Sequence, residues 1–66
     1  MILETLRPHF VRWVKIAYGG KHDRIDHFVR MYEIGQCSFM ELVHCINALY
    51  SDWRQDWEQY KNYNKL

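Results

Sequence analysis

The sequence predicts a small all-α domain. Three segments repeat apolar residues at helical spacing, glycines end the first two segments, and a capping motif begins the third. The chain has 66 residues, of which 48% are hydrophobic and 17% aromatic, so it is too apolar to be disordered and too short for two domains. We expect an entire small gene product that folds as one helical domain over residues 1–66, with three helices in an orthogonal or bundle-like arrangement.

The first helix is predicted over residues 7–18. Pro8 fits best in the first turn of a helix, because its ring removes a backbone donor that the first turn does not need, so the helix either starts near Arg7 or kinks there. Gly19 and Gly20 then end the helix, since glycine accepts the left-handed conformation found after helices. Apolar side chains recur in steps of three and four at Leu3, Leu6, Phe10, Trp13 and Ala17.

The second helix is predicted over residues 24–34. Asp23 is a suitable N-cap, because its carboxylate can accept a hydrogen bond from the free amides of the first turn. Gly35 closes the segment. The apolar positions follow the i, i+3, i+4, i+7 pattern of one helix face at Ile25, Phe28, Val29 and Tyr32.

The third helix is predicted over residues 39–62, and Ser38 with Glu41 forms a capping box at its start. A continuous helix is favoured. It would be about 36 Å long and would extend well beyond the other two. The alternative is a break at Ser51 and Asp52, where Asp52 would cap a fourth helix. Apolar residues continue along the segment at Phe39, Leu42, Val43, Ile46, Leu49, Tyr50, Trp53, Trp57 and Tyr60.

An aromatic stripe near the C-terminus is the candidate partner-binding site. Trp53, Trp57 and Tyr60 are spaced i, i+4, i+7, with Arg54 beside them and Tyr63 following. Trp, Tyr and Arg dominate the binding energy of protein interfaces, because they bury a large area and keep a polar group. We expect the stripe to dock on another protein or on a second copy, giving a homodimer or other homo-oligomer. Packing in the core alone is the alternative, since it has the same periodicity.

The resulting hypothesis is a small protein-interaction module without catalysis, acting as a regulator or inhibitor. Phages and mobile elements often encode such proteins against a host or defence protein. The alternative is a nucleic-acid-associated regulator that contacts phosphates through a basic edge of the first two helices. A net charge of +1 is low for that class. The basic edge comprises Arg7, Arg12, Lys15, Lys21, Arg24 and Arg30.

No catalytic, metal-binding or cofactor-binding residue is predicted. The spacing of His22, His27, Cys37 and Cys45 lacks the close ligand pairs of zinc sites. Two cysteines are too few for a disulfide framework, so a reducing, cytoplasmic compartment is expected. No secretory signal and no run of about 18 apolar residues is present, and the sequence predicts no association with a membrane.

Overall fold

The structure is a computed structural model that describes residue 2 and residues 4–66. Its described residues form four α-helices and no strand, which confirms the predicted all-α class. The elements in chain order are a short 3-10 helix (Glu4–Leu6), α1 (Arg7–Tyr18), α2 (Asp23–Glu33), α3 (Phe39–Leu49) and α4 (Trp53–Asn64).

The connection between α1 and α2 follows the glycine signal but not the predicted cap. Gly19 ends α1, and its N–H donates to the Lys15 carbonyl at 3.0 Å. Asp23 is the first helical residue of α2, and His22 takes the N-cap position without a side-chain hydrogen bond. The carboxylate that acts here is Asp26, whose two oxygens each accept from the Gly20 N–H at 3.2 Å. Asp26, in the first turn of α2, therefore holds the loop against the helix and does not act as its N-cap.

The capping box at the start of α3 is confirmed. The Ser38 hydroxyl accepts from the Glu41 N–H at 3.1 Å, and the Glu41 carboxylate accepts from the Ser38 N–H at 3.0 Å. Two amides that have no partner within the helix are thereby satisfied. Gly35, at φ +79°, makes the preceding turn with a backbone conformation that other residues rarely adopt.

The continuous helix favoured over residues 39–62 is wrong, and the structure has the break near Ser51 instead. Tyr50, at φ −137° and ψ 82°, leaves the helical conformation, and α4 begins at Trp53. Asp52 occupies the N-cap position of α4 but its side chain makes no capping hydrogen bond. Ser and Asp are weaker helix formers than most residues, so a break is less costly here than elsewhere in the segment. The break also lets α4 fold back on α1, and the largest dimension is only 30 Å.

The core is an aromatic cluster centred on Phe10 of α1, whose side chain is fully buried. Its ring centroid lies 5.4 Å from that of Phe39, 5.5 Å from that of Trp53 and 5.2 Å from that of Trp57. These are edge-to-face contacts, the arrangement that aromatic quadrupoles favour. The fully buried aliphatic side chains around it are Val14, Ile25, Leu42 and Ile46, so all four helices contribute to one core.

Candidate functional site

An open groove lies where the N-terminal part of α1 meets α3 and α4. Its volume is about 290 Å³, at the lower end of the range for ligand-binding sites. The floor is formed by the small exposed parts of three almost fully buried aromatic residues, Phe39, Trp53 and Trp57. On the α3 side the wall consists of Val43 and of Met40, whose side chain is 58% exposed. The groove therefore offers an apolar, largely aromatic surface.

Three cations line the groove, one over each aromatic ring of the floor. The charged groups and ring centroids are 4.8 Å apart for Arg7 over Phe39, 5.0 Å for Arg54 over Trp53 and 5.8 Å for Lys61 over Trp57. Each contact is a cation–π interaction, which holds the cation at a defined place beside the apolar floor. A guanidinium stacked in this way keeps its N–H edges available to a carboxylate.

The groove carries excess positive charge. Glu58 is the one acid among its lining residues, and it pairs with Lys61 at 2.7 Å. Neither Arg7 nor Arg54 forms an ion pair with any residue that the structure describes, and the buried Nε of Arg7 has no hydrogen-bond partner there. Two guanidinium groups are thus free to form paired hydrogen bonds with an incoming carboxylate.

The structure divides the predicted aromatic stripe. Trp53 and Trp57 are each only 3% exposed, so both indoles pack in the core, which the sequence left open as the alternative. The reason is that α4 packs against α1, which directs both indoles at Phe10. Their small exposed parts, together with Arg54, line the groove. Tyr60 and Tyr63 do not.

The two tyrosines of α4 lie outside the groove and differ in exposure. Tyr60 is half-buried and stacks on Trp57, with ring centroids 5.8 Å apart. Tyr63 is 88% exposed and lies about 180° around the helix from Arg54. The five residues predicted as one partner-binding face therefore divide among the core, the groove and the far side of α4.

The predicted basic edge is also divided. Arg7 belongs to the groove, whereas Arg12 and Lys15 border a different, shallow depression between α1 and α2. Lys15 is paired there with Glu33 at 2.6 Å. Lys21, Arg24 and Arg30 are exposed on the following loop and on α2. Arg24 and Arg30 lie about 120° apart around α2, so the six cations do not form one continuous strip.

The sequence pattern does not predict that residues of α3 form a wall of the groove. Met40 stands beside the apolar stripe of its helix instead of within it, and an apolar residue off the stripe is a signal of exposure. Phe39 and Val43 gave no such signal, because both belong to the stripe. Their role at the groove depends on where α4 lies, which local patterns do not reveal.

The cysteines are free thiols, and burial raises the pKa of both Cys37 and Cys45 above the ordinary value. The nearby Glu41 adds to the effect at Cys37. Both thiols therefore keep their protons at neutral pH, where a thiolate would be the reactive form. Within the described part of the chain, no three His, Cys, Asp or Glu side chains are placed to hold a metal ion.

The described residues form a small four-helix domain with a groove that has an aromatic floor and is lined by three cations. No family model, curated protein or solved structure matches this chain. None of the helices that the structure describes is long and apolar enough to cross a membrane.

Proposed function

We propose that this protein is a small non-catalytic interaction module that docks on another protein through the groove between α1, α3 and α4, and so regulates or inhibits it. The observation that supports the proposal is the combination of an aromatic floor with three cations, each held over a ring. Aromatic side chains that are buried at a protein interface contribute much of the binding free energy, and charged groups such as arginine contribute specificity and orientation.

The α3 wall supports the same proposal. Met40 is 58% exposed, which places an exposed apolar side chain at the wall of the groove. Methionine has a flexible and polarisable side chain that adapts to irregular partner surfaces. An exposed Met40 beside the exposed parts of Trp53 and Trp57 is therefore suited to receive an apolar side chain from a partner.

A capture experiment with Met40→Glu tests the proposal. The tagged protein would be incubated with nuclease-treated lysate from its source at about 200 mM salt, where weak phosphate contacts are lost. We expect wild type to retain a protein partner that Met40→Glu loses, because the new carboxylate must be desolvated against an apolar surface. Met40 is exposed, so the variant should fold as wild type does.

The matched control is Ile16→Glu, which also places a carboxylate at an exposed apolar position. Ile16 is 66% exposed on α1 and does not line the groove. This variant should retain the partner. The proposal is contradicted if Met40→Glu captures the same proteins as wild type, or if wild type captures none.

A further inference from the structure

α4 carries two parallel stripes of exposed or half-exposed side chains on opposite sides. Both stripes have the spacing i, i+4, i+7, i+11, and their centres lie about 160° apart around the helix. One stripe, here called the basic ridge, comprises Arg54, Glu58 and Lys61, which line the groove, and Lys65, which directly follows the helix. The other, here called the acidic ridge, comprises Asp56, Gln59 and Tyr63 together with Asp52, the N-cap residue of the helix.

The spacings along the two ridges agree. Arg54 and Lys61 are two turns apart, about 10.5 Å along the helix axis, and so are Asp56 and Tyr63. The domain is about 18 Å wide even in its narrowest direction, so two parallel α4 helices in contact would make the copies overlap. In an antiparallel pair the two domains lie on opposite sides of the helices, and Asp56 then faces Lys61 while Tyr63 faces Arg54. The first pair is a carboxylate with an ammonium group, and the second places a guanidinium beside an aromatic ring.

We propose that the groove binds the acidic ridge of a second copy of this chain, so that the free protein self-associates head to tail. The proposal rests on the groove of the proposed function, and it names a further occupant. Charge complementarity selects that occupant, since Arg7 and Arg54 of the groove form no ion pair among the described residues, and the acidic ridge has two carboxylates and no basic side chain on the same side of the helix.

The exposure of Tyr63 supports a second copy as the occupant. Tyr63 is the most exposed large hydrophobic side chain of the described residues, at 88%. Docking in the groove beside Arg54 removes this ring from water. The net charge of +1 opposes association only weakly, because the copies repel little at long range.

The symmetry of the contact follows from the position of the ridges. They lie on opposite sides of one helix, so each copy offers one groove and one acidic ridge. The contact is therefore heterologous, and it extends to short chains or closes into a ring. Because the paired charges lie at the surface, salt weakens the association.

Two charge-reversal variants test the proposal by sedimentation equilibrium at about 10 µM to 1 mM protein. The first, Asp52→Lys with Asp56→Lys, makes the acidic ridge basic. The second, Arg54→Glu with Lys61→Glu, makes the groove acidic. We expect wild type to associate at about 50 mM salt and to dissociate at about 500 mM. Each variant alone should associate at least about tenfold more weakly, because like charges then face each other.

The mixture of the two variants is the decisive sample. A basic ridge meets an acidic groove at one contact, and an acidic ridge meets a basic groove at the other, so mixing should restore association. The control Arg24→Glu with Arg30→Glu lies on α2 and lowers the net charge by the same amount as Arg54→Glu with Lys61→Glu. It should associate as wild type does. Circular dichroism confirms that each variant is folded.

The proposal is overturned if wild type is monomeric throughout this concentration range at low salt, or if the folded variants remain monomeric when mixed. Either result leaves the proposed function standing, provided that Met40→Glu still loses a captured partner. Conversely, restored association in the mixture together with failure of the capture experiment refutes the proposed function alone.

Discussion

Phe10 is the residue on which the core depends most. Its ring contacts Trp13 on its own helix, Phe39 on α3, and both Trp53 and Trp57 on α4. Because these contacts reach two other helices, the side chain links elements that are far apart in the chain. A small domain has few other large contacts that can compensate for its loss.

Phe10→Ala should unfold the protein at 25 °C. Removing a buried Phe side chain costs about 3–5 kcal/mol, which is comparable to the whole stability of about 3–10 kcal/mol expected for this length. Circular dichroism would show the loss of helix. Ile16→Ala, on the exposed side of the same helix, should change the free energy of unfolding by less than about 0.5 kcal/mol. Equal stability of the two variants would refute the central role of Phe10.

Tyr18 makes stability depend on pH in alkaline solution. Burial raises the pKa of its phenol, and Asp56 and Asp52 raise it further by repelling the phenolate. The folded state therefore holds this proton more tightly than the unfolded state. Its contribution is fully present below the unfolded pKa of about 10, and it is lost as the pH rises through the higher folded pKa.

Urea denaturation at pH values from about 8 to 11 tests this dependence. We expect the free energy of unfolding to fall above about pH 10, and to fall less in Tyr18→Phe, which has no phenol to titrate. Tyr63→Phe is the matched control, because it removes the hydroxyl of a tyrosine that is 88% exposed and lies outside the core. If Tyr18→Phe shows the same alkaline loss as wild type, the burial of Tyr18 is not its cause.

At the scale of single elements, the two serines that precede helices have different roles. Ser38 caps α3 with its side chain. Ser51 lies in the exposed turn before α4, and its side chain forms no hydrogen bond with any residue that the structure describes. The same residue type therefore has different energetic weight at the two positions.

Ser38→Ala should lower the free energy of unfolding by about 1 kcal/mol, since the Glu41 amide loses its acceptor. Ser51→Ala, with the same atoms removed, should change it by less than about 0.5 kcal/mol. Both values come from urea denaturation followed by circular dichroism. A larger effect at Ser51 than at Ser38 would mean that the break, and not the capping box, limits the stability of this region.

The sequence allowed the starts of α1 and α3 to be predicted, because those signals are local. Pro8 and the Ser38–Glu41 pair act within one turn of the residues they affect. The break at residues 50–52 was only an alternative, since its main cause is distant. The indole of Trp53 is buried by contact with Phe10, and no short-range pattern encodes that contact.

At the scale of the whole molecule, the break creates both the core and the groove. Folding α4 back on α1 buries two indoles and leaves their small exposed parts beside Met40 and Arg7. The sequence predicted that Trp53, Arg54 and Trp57 belong to a functional surface. It did not predict the α3 wall or the place of Arg7, because three elements must meet before the groove exists.

Both the core and the groove therefore depend on the position of α4, which a nuclear Overhauser spectrum of the dilute protein at high salt would test. We expect cross-peaks between the ring protons of Phe10 and Trp57, whose centroids are 5.2 Å apart, and an interruption of helical connectivities at residues 50–52. Unbroken helical connectivities from Phe39 to Asn64, without Phe10–Trp57 cross-peaks, would contradict the folded-back helix and the groove that it forms.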